Sequence, residues 1–313
     1  MSALICGSFA YDTIMVFQDY FKNHILPDKV HILNVAFHVP ELRREFGGCA
    51  ANIAYNLNLL GGKALPMGTV GRDFAPYAEW LDELGIPRDH ILQIDSTYTA
   101  QAFITTDQDD NQITAFHPGA MDFAHEVSVD DATGVTLGIV SPDGRQGMIE
   151  HAEQFVEAGI PFIFDPGQAM PLFGGDDFQR FIEQATWVCV NDYESQLLQD
   201  RTGWSPHDIS GKVEALIVTR GGKGAYIYSG GKRLDIPPAP VSGIVDPTGC
   251  GDAFRGGLLY GLMNGLDWET TGRMAALMGA IKIEQHGTQN HGFTLDEFRR
   301  RYKAAFGTVL EAL

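Results

Sequence analysis

Basic residues are scarce. Lys and Arg number 22 against 40 Asp and Glu, which leaves a formal net charge of −18. Such a chain repels nucleic-acid phosphates and anionic membrane surfaces, so neither is expected as a partner. Cysteine is scarce too. Cys6, Cys49, Cys189 and Cys250 stand far apart, with no Cys-x-x-Cys pair and no zinc-like Cys/His spacing. They read as reduced thiols of a cytoplasmic protein. No apolar run reaches the roughly 20 residues of a membrane span. The stretch MSALICGSFAYD lacks a basic segment followed by an apolar one, so no signal peptide is expected. Internal repeats and low-complexity linkers are missing as well. So is G-x-x-x-x-G-K-[ST], the P-loop cradle for nucleotide phosphates.

What is present suits a sheet enzyme. The 313 residues are 44% hydrophobic and include 36 Gly. Length alone suggests about two domains, but α/β folds of this size are often one unit with an insertion. Leu4 to Cys6 reads as a strand ending at Gly7-Ser8, and the segment from about Asp12 to Glu45 as irregular and rich in aromatics. GGCAANIAYNLNLLGG reads as a Gly turn leading into a helix that stops at Gly61-Gly62. Ala64 to Val70 follows as a strand and Phe74 to Leu84 as a helix. TAQAFITTD and NQITAFH, joined by QDDN, carry a hairpin signal that interrupts the β–α alternation. Alternation resumes with VTLGIVSP, PFIFDPG, TWVCVN and ALIVTRGG as strands, separated by helices. Short apolar runs between amphipathic helices predict a parallel sheet covered on both faces. AYIYSGGKRLDI adds an edge hairpin, and the last third is mainly helical. The expected fold is α/β, a Rossmann-like, mostly parallel sheet flanked by helices. A small β lid is expected from about residues 12–45 and 97–118, on a single domain spanning 1–313.

The strongest chemical signal is DPTGCGDAFRGG, from Asp246 to Gly257. Gly249, Cys250 and Gly251 lead into an apolar helix, whose first N–H groups are open to an anion. Asp252 sits at that helix start, where a carboxylate can orient or deprotonate a hydroxyl. The same pattern also fits an ordinary helix with an acidic first turn. Taken alone, TRGGKG (Thr219 to Gly224) is a Gly-rich turn and NDYE a helix N-cap. Asp12 alone is a solvated turn residue.

DPTGCGDAF resembles the C-terminal signature of the ribokinase (PfkB) superfamily, D-T-x-G-A-G-D, and FGGCAANIAYNLNLLGG resembles its N-terminal signature, G-G-x-x-x-N-x-A. The two stand in the right order near the expected ends. The resemblance implies Asp252 as catalytic base, with Gly249, Cys250 and Gly251 as the anion hole. It implies ATP and Mg²⁺ as cofactors. Asn191 and Glu194 match N-x-x-E, which organises Mg²⁺ and phosphate through water. Asn191, Thr219, Gly221, Gly222 and Gly224 would meet ATP. Pro247 and Cys250 depart from the usual Thr and Ala. A monovalent cation such as K⁺ is implied near Asp246 and the His286–Gly287 loop.

HPGAM, DPGQAM, NDYE, HGTQ and the aromatic segment near Leu26-Pro27 resemble the bacterial adenosine-kinase branch. That implies phosphorylation of the 5′-hydroxyl of adenosine, with ribose held by Ser8, Asp12, Gly47, Gly48 and Asn52. An ionised carboxylate accepts two hydroxyl bonds, and Asn both donates and accepts. Phe116 and Phe37, and less strongly Phe103, are candidates to stack on the base. Gln168 could bond its edge, although Ala169 replaces a second Gln of that branch. A ribose or other sugar kinase is the nearest alternative, and a non-catalytic nucleoside sensor a more distant one. The expected partners are a nucleoside and ATP, with a second copy of the chain against the lid.

Overall fold

A computed structural model describes residues 1–25, 32, 34–109 and 111–313. The expectation attached to Leu26-Pro27 lies outside those residues. The main sheet has nine strands among the described residues, ordered β13-β12-β11-β10-β9-β8-β1-β4-β5. They are β1 (Ser2–Cys6), β4 (Lys63–Gly71), β5 (His90–Ile94), β8 (Leu137–Val140), β9 (Phe162–Phe164), β10 (Trp187–Asn191), β11 (Ala215–Thr219), β12 (Ala225–Ser229) and β13 (Lys232–Ile236). All neighbours pair parallel except β11–β12 and β12–β13. The class is therefore the expected one.

Strand side chains alternate between faces, and the two cores sort by that period. Ala3, Ile5, Ile139, Ile163, Cys189 and Ile217 pack with α1 (Cys49–Leu59), α7 (Cys250–Met263), α8 (Trp268–Lys282) and α9 (Leu295–Phe306). Leu4, Cys6, Val140, Phe164, Val190 and Val218 pack against α3 (Arg145–Glu157), α4 (Gly175–Gln184) and α5 (Asp192–Thr202) on the other face. Burial on both faces explains the unbroken apolar runs. Gly256 and Gly257 of α7 allow close helix packing. A methyl on them would come within 2.6 Å of Asn56 Cβ and 2.7 Å of Ala275 Cα.

A second sheet, ordered β3-β2-β6-β7, uses β2 (Ala10–Val16), β3 (Glu41–Gly47), β6 (Ala100–Thr106) and β7 (Gln112–His117). The stretch 12–45 is thus not wholly irregular, since it holds most of β2 and β3. ELRREFG hid as a strand because both of its faces are largely polar and exposed. Edge strand β5 and the short helix α6 (Pro206–Ser210) were unforeseen, whereas α2 (Ala75–Glu83) lies just inside its expected span.

Candidate active site

Parallel strands deliver their carboxyl ends to one rim, where α/β folds build sites. The exit of β1 meets the start of α1 there. Gly48 caps α1 at φ 91°, and a Cβ on it would lie 2.5 Å from the Ser8 carbonyl, so only glycine fits. The Ser8 hydroxyl accepts from the Cys49 N–H at 3.2 Å. Its side chain therefore anchors the loop, in addition to any role toward substrate.

Asp252 occupies the first turn of α7, behind Gly249 at φ 76°. A Cβ on Gly249 would press on Thr288 at 2.9 Å. The first-turn N–H groups of α7 have no intrahelical acceptors, and the helix dipole adds positive potential. Burial, the largest influence, lifts the Asp252 carboxyl to about 6; Asn52 and Arg255 oppose the rise, while Asp165 and Asp12 add to it. A base in that range is ionised at neutral pH yet basic enough to take a proton.

Asn52 Nδ2 donates to Asp252 Oδ2 at 2.8 Å, and Asn52 Oδ1 accepts from Gln289 Nε2 at 2.9 Å. Gln289 is fixed in turn by the Tyr77 hydroxyl and by Trp80 Nε1, which donates to it at 3.0 Å. The structure thus puts Asn52, expected on ribose, directly on the candidate base. Gln289 closes the HGTQ stretch, but its contact with Asn52 spans 237 residues and was not read from sequence.

Arg255 was also missed. Its guanidinium grips Asp165 through two bonds of 2.8 Å and reaches the Gly251 carbonyl at 3.2 Å, almost fully buried. This bidentate pair ties α7 to the loop after β9. The only local hint was an Arg in an otherwise apolar helix.

Cys250, Gly251, Thr219, Gly221, Gly222 and Gly224 line one apolar cleft of about 190 Å³. Phe254 of the same motif also lines it, as do Pro238, Val241, Ala276 and Ile283, which carry no sequence motif. Gly224 has φ 81°, and a Cβ there would strike the Ile236 carbonyl at 2.0 Å. Asn191 pairs in register with Thr219, so both stand at adjacent strand ends. Asn191 and Glu194 form a reciprocal capping box on α5, with bonds of 2.8 and 2.7 Å. The N-cap reading of NDYE is therefore correct as local structure. Burial raises the Glu194 carboxyl above its ordinary value.

On the second sheet, Glu45, Asp12, Ala102 and Phe116 stand side by side in one cross-strand row. Asp12 also abuts Gly47, where a Cβ would lie 2.8 Å from its Oδ2. Burial first, then Asp246 and Glu45, raise the Asp12 carboxyl to about 6. Phe116 is 53% exposed on that face, and Ile14 and Ile104 form the next row. Phe103 pairs with Thr13 and Ala115, which puts it on the opposite face, away from Asp12. Phe37 clusters with Phe17 and Phe21 at 4.8 and 5.0 Å between ring centroids. Gln168 is exposed in a 3-10 turn just past the carboxyl end of β9.

No cluster of three or more His, Cys, Asp or Glu suited to a metal exists among the described residues. That is compatible with Mg²⁺, which commonly takes one or two carboxylates and completes its shell with water and substrate phosphates. Glu194, beside Asn191 at the carboxyl end of β10, is the one carboxylate that the sequence reading assigned to it. A monovalent cation fits less well. The carbonyl oxygens of Asp246 and Gln285 already accept from Lys282 Nζ, at 2.7 and 3.2 Å.

A buried carboxylate at an anion-binding helix start, next to a Gly-lined cleft, defines an α/β phosphotransferase acting on a hydroxyl. Residues 12–294 match the family described as pfkB family carbohydrate kinase, and the chain belongs to that family. It is similar to a nucleoside kinase of Burkholderia thailandensis solved with inosine: 52% identity, TM-score 0.89, 98% of this chain and 99% of that one. The same protein has been solved with ADP-inosine, at 54% identity and TM-score 0.87 over 98% and 97% of the two chains. A nucleoside kinase of Methanocaldococcus jannaschii is 30% identical over 86% of this chain and 89% of its own length. The fold is thus the ribokinase-like one, as the motifs implied. No helix among the described residues is long and apolar enough to cross a membrane.

Proposed function

We propose that this kinase transfers the γ-phosphoryl group of ATP to the 5′-hydroxyl of a nucleoside, with adenosine as its substrate and AMP as product. The observation that carries the reading is the shared row of Asp12 and Phe116. It joins a hydroxyl-binding carboxylate and an exposed aromatic ring on one face, as a ribose with an attached base requires. The similarity to a nucleoside kinase solved with inosine supports the class and makes inosine the competing purine.

Asp12 and the Gly47–Gly48 backbone hold the ribose hydroxyls, and Gln168 reaches the base edge. Asp252, held by Asn52, takes the 5′-hydroxyl proton as the phosphoryl moves toward it. The N–H groups from Gly249 to Asp252 receive the developing charge. The cleft lined by Thr219, Gly221, Gly222 and Gly224 takes the adenine nucleotide. Mg²⁺, when bound near Asn191 and Glu194, neutralises phosphate charge. The second sheet acts as a lid that excludes water, the competing acceptor. We read residues 1–313 as one cytoplasmic kinase domain. Leu42, Phe103 and Ile113, exposed on the lid face turned from Asp12, are where a second copy would pack.

Phe116→Ala tests the reading. Losing a stacking face costs about 1–3 kcal/mol for a nucleoside. KM for adenosine should rise accordingly, while any ribose turnover stays as it was. An equal loss for both acceptors would make Phe116 a packing residue.

A further inference from the structure

Lys282 is the most deeply buried cation near the site, with no measurable exposed surface. An ammonium so placed needs its charge met from within. It closes α8 and points at the turn that opens α7. Nζ donates to the Asp246 carbonyl at 2.7 Å and to the Gln285 carbonyl at 3.2 Å. Around it the two segments are stitched together. Val245 and Asp246 N–H both donate to the Ile283 carbonyl, at 2.9 and 3.2 Å. The Asp246 carboxylate accepts from Gly287 and Thr248 N–H at 3.0 and 2.9 Å. Thr288, just beyond, is the wall against Gly249. Burial pulls the Lys282 pKa down, and the Asp246 charge pushes back.

Backbone carbonyls converging on one positive centre are what a monovalent cation would seek. Here a side chain of the chain itself provides that centre. We propose that Lys282 is a built-in replacement for a monovalent cation, a positioning residue that locks the Asp246–Gly251 turn so that the kinase works without K⁺. Its charge also lies near Asp252 and the anion-binding N–H groups, where it favours the incoming phosphate. The inference rests on the kinase class, not on which acceptor is used.

The test uses the full-length enzyme, with its best acceptor and ATP, in K⁺ or in tetramethylammonium at matched ionic strength. Wild-type kcat and melting midpoint should be the same in both. Lys282→Met keeps the length of the side chain and removes the charge. Its kcat should fall roughly 10- to 100-fold in tetramethylammonium. K⁺ or NH₄⁺ should restore part of that loss and raise the melting midpoint of the variant, because an ion that binds only the folded state stabilises it. Wild-type activity or melting that depends on K⁺ would overturn the proposal. So would a folded Lys282→Met enzyme with full kcat, or one that ignores K⁺. Should the variant not fold, the wild-type comparison alone decides. A wild type that melts identically in both salts yet phosphorylates no nucleoside would leave this inference standing and remove the nucleoside reading.

Discussion

Asp252 is held by one hydrogen bond from Asn52 and raised by burial, so its protonation should be visible in the kinetics. The sign follows directly. A general base works ionised, so if Asp252 is that base, with its pKa at about 6, kcat/KM should rise with pH through about 6 and level off above it. Asp12 titrates in the same range and the two carboxylates feel each other, so the limb belongs to the pair. Asp252→Asn keeps the size of the side chain, and its amide oxygen still accepts from Asn52. Turnover should nevertheless fall about 10²–10⁴-fold, the usual cost of losing a general base. Circular dichroism and ATP binding should stay as in the wild type. Near-normal turnover in this variant would remove Asp252 from the chemistry. Asp252 and Gly249–Gly251 were legible because helix start, small residues and carboxylate are contiguous in the chain. Asn52 was legible as a site residue but not in its contact. Neither its bond to Asp252 nor its bond from Gln289 leaves a local trace, since the partners are 200 and 237 residues apart.

At the scale of elements, α7 carries the anion-binding turn and must not slide along the sheet. The Arg255–Asp165 pair prevents that, at 6% and 4% side-chain exposure. Removing one partner of a buried pair strands the other charge, at about 3–5 kcal/mol. Asp165→Ala should therefore lower unfolding free energy by about that amount in urea denaturation. A loss under about 1 kcal/mol would mean that water reaches Arg255 and the pair is no anchor. The elements themselves read well wherever burial on both faces wrote continuous apolar runs. β3 and β5 did not, because edge strands with mixed or polar faces lack that signature. The face of Phe103 could not be known either, since it depends on the register of β2 against β6.

At the scale of the whole molecule, two sheets meet around one rim. The large one brings the helix start, the candidate base and the Gly-lined cleft. The small one brings Asp12 and Phe116. In the proposed reaction, acceptor choice rests on the Asp12–Phe116 row of the small sheet together with the Gly47–Gly48 loop and Gln168 at the rim of the large one. The ribokinase-like class was therefore readable from two motifs, while the proposed acceptor surface is assembled from residues far apart in the chain. The net charge of −18 adds a general constraint, as phosphate must be welcomed locally against a repulsive background. The most direct test is ATP-dependent turnover of the purified chain with adenosine, inosine, ribose and fructose side by side. The account predicts that kcat/KM is highest for adenosine, that both nucleosides exceed both sugars, and that the adenosine product is AMP. Ribose or fructose turned over faster than either nucleoside would contradict it.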